Sequence, residues 1–543
     1  MKLLLVAPRD WYFPVGLSYI AAALKEAGHE VHCCYADSQD DLAALEGGQY
    51  DFLCTGGMCV HLAQLETAIS AAKQAGVKVV VGGNIVTSEP ELMSRALDVD
   101  YAVIGQGEET IVELLDCIER NGILDEVAGI GYFSDGDFKM TGPRTPSRPL
   151  DDLPWPDYAA LGLAARQDAA KPSDQQLLDA FDEPREYWVV AARSCPFQCT
   201  FCYHPEGERY RQRSVESVMA ELREAVPRDR INIISIQDDL FAQSEERVYD
   251  FCRQFKALTA TLTWDVKWMC QMRVDSVTPD LLDAMKDAGC YRLGYGFESY
   301  SVRVLKSMRK RITPDQIHKA IHATTERSIG IEAHFIFGDP AETLETAAET
   351  LAFWKEHVDA GIYLDFIIAY PNSEIYQMAI SEGIITDRLA YIRGGLGTPL
   401  NLTKMPDKDF RRLQAAVAEA TTETKLGRIL KRTANTLRIW CPHCRNVSEF
   451  RNFEEKTPPI PDVYCRHCRR RIALPVGIHR WQRQGLMPTL LRSMHRMGIH
   501  PTHMALGVLR AADAGARHRL LKRPCRAVSD KLRRFLFMGP AEE

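Results

Sequence analysis

The sequence predicts an α/β protein in three parts: a Rossmann-like, doubly wound parallel sheet, a partial (β/α)6 barrel, and a small C-terminal metal ribbon with a helical tail. Three observations carry this. Short apolar runs alternate with helix-period segments through residues 1–125 and again through 186–385. Connections this short force neighbouring strands to run parallel. Two C-x2-C pairs, Cys441/Cys444 and Cys465/Cys468, stand with twenty residues between them.

Bulk numbers bound the rest. A chain of 543 residues holds three or four domains. Its apolar and charged fractions, 46% and 26%, are those of an ordinary globular protein. A net charge of -7 argues against nucleic-acid binding by the whole protein, and none is expected. The sixteen cysteines fall into a triad, a quartet and scattered singles, a metal pattern rather than a disulfide framework. That predicts a reducing, cytoplasmic setting. The apolar run at the N-terminus is too short for a signal peptide, and no run is long enough to span a bilayer.

In the first part, strands are expected at 3–7, 30–34, 50–55, 77–81 and 101–104, with helices at 16–27 and 62–75. The strand ends carry Thr55, Gly82-Gly83-Asn84 and Gly105-Gln106-Gly107-Glu108, and a doubly wound sheet binds its ligand there. Glycines let backbone approach a flat ligand. Residues 126–185, with five prolines between 143 and 156, read as a linker wrapping between domains.

The second part predicts strands at 186–192, 232–237, 264–272, 291–297, 330–337 and 364–369. Helices are expected at 214–224, 248–258, 279–288, 302–308, 314–327 and 344–357. The first strand runs directly into Ser194-Cys195-Pro196-Phe197-Gln198-Cys199-Thr200-Phe201-Cys202-Tyr203-His204, a C-x3-C-x2-C array. It sits at the carboxyl end of a parallel strand, where barrel-like folds keep their chemistry. Three thiolates can hold three irons of a [4Fe-4S] cubane and leave the fourth open. Free cysteines or a zinc site lacking a ligand are the bland alternatives.

This array after a first strand resembles the radical S-adenosylmethionine (SAM) superfamily. The resemblance implies that Cys195, Cys199 and Cys202 bind the cluster and that SAM chelates the open iron and is cleaved to a 5′-deoxyadenosyl radical. It implies further SAM contacts at the strand ends: Asp238 and Asp239 for the methionyl amine, Gly296, Glu298 and Ser299 for ribose and carboxylate, and Phe201, Ile336 and Gly338 near adenine. A capping pair is the alternative for Asp238 and Asp239, and His334 reads as a packed strand histidine. Glu298, in an otherwise apolar run, needs a partner. Tyr203 is the candidate to face substrate or a second cofactor.

Pro14-x-Gly16-Leu17-x-Tyr19-Ile20-Ala21, Val81-Gly82-Gly83 and Gly105-x-Gly107-Glu108 resemble the cobalamin-binding (B12-binding) domain fused ahead of radical SAM domains. The implied cobalamin contacts are Pro14, Gly16, Leu17, Thr55, Gly83, Gly105, Gly107 and Glu108. An empty nucleotide-type domain is the alternative. The Asp-x-His-x-x-Gly string that supplies an imidazole to cobalt is missing. Cys59-x-His61-x-x-Gln64 is wrong in type and place, so His61 reads as a helix-start or surface histidine.

Residues 386–436 read as amphipathic helix through Phe410, Leu413, Val417, Leu426, Ile429 and Leu430. The four-cysteine set in 437–475 predicts a structural zinc ribbon, with rubredoxin-like iron as its rival. Residues 476–543 form a basic, apolar tail, expected to be helical. It reads as a solvated surface or as a peripheral contact with the inner membrane face.

The resemblances together imply a cobalamin-dependent radical SAM enzyme that C-methylates an unactivated carbon. It would use a small-molecule or lipid substrate and an electron donor such as flavodoxin or ferredoxin. Radical cyclisation, rearrangement or C–C coupling without methyl transfer is the alternative within enzymes. A membrane or nucleic-acid adaptor with a vestigial core is the alternative outside them.

Overall fold

The computed structural model describes residues 1–474 except 11, 206, 208, 398, 422–425 and 455–461. The basic tail expected at 476–543 lies outside the described residues.

The first sheet comprises β1 (Lys2–Ala7), β2 (Glu30–Tyr35), β3 (Phe52–Gly56), β4 (Lys78–Gly82), β5 (Tyr101–Val103), β6 (Ile130–Ser134) and β7 (Asp137–Met140), in the order β2-β1-β3-β4-β5-β6-β7. The first five are parallel. A parallel strand covered on both faces needs a continuous apolar run, and Leu3 to Val6 of β1 are fully buried. Leu3 and Leu5 pack with Ala21, Leu24, Leu114 and Leu115 on one face. Leu4 and Val6 pack with Leu65 and Ile69 on the other.

The strands β6 and β7 form an antiparallel hairpin on the sheet edge, turning at Asp135 and Gly136, both with positive φ. This corrects the reading of 126–185 as linker, because its first part completes the sheet. Proline content masked a strand pair lying upstream of the proline cluster. The remainder does wrap between domains: Tyr158 packs its ring against Phe13, Tyr187 and Trp188 at 5.2, 5.0 and 6.1 Å.

The second sheet is built from β8 (Glu186–Val189), β11 (Ile233–Ile236), β12 (Lys267–Met272), β13 (Cys290–Glu298), β14 (Gly330–Phe337) and β15 (Ile362–Phe366). All six are parallel and stand in sequence order, an open (β/α)6 barrel. A short antiparallel pair, β9 (Ala192–Arg193) with β10 (Arg211–Gln212), brackets the cysteine loop. The helix starts follow local chemistry: Ser214, Ser244, Thr278, Thr313, Thr343 and Ser373 each accept an amide of the first turn. The helix expected to end at 224 runs on to Asp229, with Pro227 in its last turn.

Beyond the barrel, helices Arg388–Arg393 and Asp407–Ala420 account for only part of the helical reading of 386–436. Phe410, Leu413 and Val417 are buried on one helix face, as their spacing demands. Residues 428–433 instead form β16 (Arg428–Thr433), which pairs with β17 (Thr436–Trp440) and then β18 (Val447–Arg451). At Gly427 a Cβ would overlap Ile439 and Ile472, so the chain enters this small sheet at van der Waals contact. The hairpin β19 (Asp462–Tyr464) with β20 (Arg471–Ala473) completes the ribbon.

The ribbon docks on the amino-terminal ends of the barrel strands. Tyr464 donates its hydroxyl to Ile331 O at 2.8 Å, and Arg469 meets Asp179 at 3.0 Å. Asp359 receives both Arg470 (3.0 Å) and His443 (2.9 Å). Gly361, with φ +73°, has no room for a side chain against Ile331 O and the Tyr464 hydroxyl.

Glu186, at the start of β8, is a buried carboxyl that accepts from Ser235 at 2.5 Å. Burial pushes it up to about 7, with Ser235 and Arg166 opposing. Because the folded state holds this proton more tightly than the unfolded chain, its stabilising contribution is present below the unfolded value near 4.5 and lost as pH rises through about 7. Glu186→Gln should therefore gain stability relative to wild type between about pH 5 and about pH 8, by about 3 kcal/mol at most. Denaturant midpoints at the two pH values check this; a constant difference would contradict it.

Candidate functional site: a cysteine loop facing a glycine-lined cavity

The cysteine loop leaves β9 through Ser194, at φ +66°. It is held by backbone bonds to the next layer: Thr200 N donates to Met308 O at 3.2 Å, and Thr200 O accepts from Ile375 N at 3.0 Å. Arg273 stacks on the Phe197 ring at 3.7 Å. Desolvation raises the thiols of Cys195, Cys199 and Cys202. The Lys310 ammonium opposes that rise at all three, while the Asp239 carboxylate adds to it at Cys195 and Cys202. The loop thus gathers three thiols beside a fixed cation, a donor set suited to an anionic thiolate-bound cluster.

The strand β13 supplies that cation's partner. Glu298 is 7% exposed, adopts φ +60°, and binds Lys310 Nζ at 2.7 Å. Burial opposes protonation of Lys310, but Glu298 and Cys199 outweigh it and hold the ammonium above its usual value. A Cβ at Gly296 would overlap both Glu298 and Lys310, and one at Gly294 would overlap Gln271. Gly296 therefore makes room for the ion pair inside the barrel mouth, and Gly294 for the Gln271 side chain. Ser299 turns away: its hydroxyl meets Thr350 at 3.3 Å and accepts from Ser301 N at 3.1 Å.

The aspartate pair divides. Asp238 is buried and accepts from the Ala191 amide at 2.8 Å, which ties β11 to the end of β8. Its other oxygen is buried without a hydrogen-bond partner, and burial raises the group well above the usual carboxylate range. Asp239 is exposed and stands in the field of His204. Ile336 of β14 and Phe201 of the cysteine loop pack in one apolar cluster with Ala369 and Met308. Gly338, at φ +106°, donates its amide to Glu342 at 3.0 Å. His334 is about half exposed and meets Asp365 at 2.6 Å, so it is not a packed core histidine.

Opposite lies a cavity of about 430 Å³. Pro14, Gly16, Leu17, Thr55, Gly83, Gly105, Gly107 and Glu108 all line it. A Cβ added at Gly16 or Gly105 would touch no protein atom, so at these positions the missing side chains leave the cavity open. At Gly83 a Cβ would come within 3.0 Å of Gly57 N, and at Gly107 within 2.8 Å of Ile20 Cδ1. Thr55 is fixed by donating to Val6 O at 2.6 Å. His61 lines the cavity with both ring nitrogens engaged, Nε2 with Asp10 at 2.8 Å and Nδ1 accepting from Met58 N at 3.2 Å. It therefore has no free lone pair for a metal; it stands at the start of the helix Leu62–Gln74, as one expectation had it, and is buried rather than on the surface.

The barrel completes this wall with Val190, Arg193, Pro205 and Gln237. Arg193 and Glu108, both almost fully buried, form an ion pair at 2.5 Å across the boundary. Arg193 also lies over the Tyr19 ring at 5.2 Å, and Arg211 bonds Gln106. Tyr203 has Asn372 as hydrogen-bond partner and lies in the field of Cys59, on the loop after β3. Tyr370 lies in the field of both Cys202 and Cys59. Both tyrosines are thus near Cys59 of the first domain, and Tyr370 is near Cys202 as well.

Three residues of this site escape sequence reading. Lys310 sits in Arg309-Lys310-Arg311, which looks like surface charge. Arg273 reads only as a strand end, and Tyr370 only as the start of a turn. An apolar strand ending in Glu298 is the one signal that a buried cation must come from elsewhere.

In the ribbon, Cys441, Cys444, Cys465 and Cys468 place their sulfurs within 4.8 Å of one another. Cys441 to Cys468 is 3.8 Å and Cys444 to Cys465 is 3.6 Å. Four thiolates about 2.3 Å from one tetrahedral ion stand about 3.8 Å apart.

Replacing Glu108 with Ala would leave the Arg193 guanidinium buried without its carboxylate. The expected cost is about 3 kcal/mol, read as a lower denaturant midpoint; an unchanged midpoint would show that the pair does not hold the two sheets together.

Residues 1–115 match the B12 binding domain family and residues 189–353 the radical SAM superfamily. The uncharacterized methyltransferase PH0819 of Pyrococcus horikoshii is 30% identical over 388 residues, 68% of this chain and 79% of that protein. The cytidylyl-2-hydroxyethylphosphonate methyltransferase of Streptomyces wedmorensis is 25% identical over 467 residues, 72% and 83% of the two chains. The solved structure of the radical S-adenosylmethionine methyltransferase TsrM from Kitasatospora setae matches with a TM-score of 0.58 at 17% identity, covering 70% of this chain and 76% of that one. At that identity the likeness is one of fold. Two domain matches in one chain, together with a relative at 30% identity, place the protein: it belongs to the radical SAM enzymes that carry an N-terminal B12-binding domain.

Proposed function

We propose that this enzyme transfers a methyl group to an unactivated carbon of a small organic substrate. One observation supports the reading: Arg193 and Pro205, which flank the cysteine loop, line the same cavity as the glycine-rich strand ends of the first sheet. When bound, the cluster and SAM supply a hydrogen-abstracting 5′-deoxyadenosyl radical, and the corrinoid supplies the methyl group.

The chain's residues divide the remaining work. Cys195, Cys199 and Cys202 would hold three irons. Phe201 and Ile336 offer the apolar walls an adenine needs, with the Gly338 backbone beside them. Glu298 and Lys310 present a paired charge that can meet the zwitterionic end of SAM without stranding either group in a desolvated mouth. Asp239 is the carboxylate of its pair positioned for an ammonium. Gly16 and Gly105 would leave space for a corrin face, and the His61 imidazole in the same lining is already engaged by Asp10 and Met58. Tyr203 and Tyr370 would border the substrate and screen it from water. An electron donor of the flavodoxin or ferredoxin type would reduce the cluster.

The four-cysteine group of the ribbon is suited to zinc, since four thiolates at tetrahedral spacing close a structural site. Among the described residues no helix is long and apolar enough to cross a membrane.

Anaerobically reconstituted protein, given reductant and methyl-labelled SAM with a small-molecule extract of its source organism, should release 5′-deoxyadenosine and pass label to an extract component. 5′-Deoxyadenosine without label transfer would point to radical chemistry other than methylation, and neither product would overturn the reading. Cys199→Ala should abolish 5′-deoxyadenosine while cobalamin is still retained through gel filtration, because the two groups would sit on separate sheets. Cys465→Ser should lower the melting temperature of the whole enzyme, because the ribbon covers the barrel floor; an unchanged melt would show that zinc is not a folding element here.

A further inference from the structure

On the outer surface of the barrel, far along the chain from both cofactor loops, three histidines converge. His318 and His322 stand one turn apart on the helix Pro314–Glu326, and His357 caps the helix Leu344–Glu356. Their ligand-capable nitrogens all lie within 4.8 Å of one another. His318 Nε2 and His322 Nε2 are 3.1 Å apart. Two nitrogens about 2.1 Å from one ion stand about 3.0–3.4 Å apart in octahedral or tetrahedral geometry, so this spacing is already that of a chelate.

The third imidazole is held in place. His357 Nδ1 is 2.9 Å from Phe353 O, so it carries the proton and leaves Nε2 with the lone pair. The ring stacks on Phe353 at 4.2 Å, and Phe353 stacks on Tyr300 at 3.7 Å. This Tyr300–Phe353–His357 stack fixes the imidazole before any ligand arrives. Asp315 and Glu356 face the group and add negative field. His318 and His322 are exposed and His357 half-buried, so an ion can reach them from solvent.

We propose that His318, His322 and His357 form a surface site for a single divalent transition-metal ion of the kind imidazole prefers, such as nickel, copper or zinc. The site is separate from the four-cysteine group and from the cofactor loops. Its effect follows from its position: the two helices it joins come immediately before and after β14, the strand that carries Ile336 toward the cysteine loop. An ion here ties the outer supports of that strand together.

The test uses the full-length enzyme with its cluster rebuilt and its four-cysteine site filled, titrated with Ni²⁺ by calorimetry. Wild type should take up one more Ni²⁺ than the His318→Ala, His322→Ala double variant. His357→Ala should bind that ion at least about tenfold more weakly. Ni²⁺ should raise the melting temperature of wild type and leave the double variant unmoved. His322→Gln, which preserves side-chain size and helix preference, should lose the extra ion too, separating ligation from local folding. Equal stoichiometry in wild type and the double variant would overturn the site. Wild-type affinity in His357→Ala would also overturn it, since the pair on one helix would then be acting alone.

Discussion

Two parallel sheets meet at their carboxyl ends, and the buried contact of Glu108 with Arg193 fixes how they meet. The placement of these residues matters as much as their charge. Glu108 directly follows the Gly105–Gly107 turn, and Arg193 comes two residues before Cys195. The ion pair therefore joins the two loops that matter, rather than two remote surfaces. A desolvated ion pair adds little net stability over an apolar contact but is sensitive to geometry. It serves better as a registration device than as glue, and the apolar contacts of Phe13 with Trp188 and Tyr158 supply the adhesion.

The same logic governs the barrel mouth. A buried carboxylate on β13 is tolerable only because Lys310 reaches it, and Lys310 can reach it only because Gly296 has no side chain. The positive φ of Glu298 turns its carboxylate across the register shift between β13 and β14. Strain, glycine and ion pair are one arrangement. It ends beside Cys199, the middle cysteine of the loop.

Much of this was legible in the sequence. Apolar runs and Ser/Thr caps announced the strands and helices, and glycines at strand ends announced the cavity. The cysteine spacing announced both cysteine groups. What escaped were features whose meaning depends on distant partners. Arg309-Lys310-Arg311 looks like surface charge until the fold buries its middle residue. The second acid of Asp238-Asp239 is equivalent to the first until Ala191 claims one of them. Residues 428–433 carry Leu430 and Ile429 at spacings that suit helix or strand, and pairing with β17 decides between them. His357 follows His322 by thirty-five residues in the sequence, and only the fold brings it back to the pair on the earlier helix.

The ribbon under the barrel has a consequence for the order of events. Its docking residues, Tyr464 and Arg469 to Arg471, lie at the far end of the described chain, yet they seat against Asp179, Ile331 and Asp359 at the amino ends of the barrel strands. A ribosome delivers those strands long before it delivers their cover. The growing barrel must wait with an open base until the last cysteine pair emerges and the ribbon folds. Emergence of the ribbon, rather than of the last barrel strand, is the moment at which this enzyme becomes a finished container for radical chemistry.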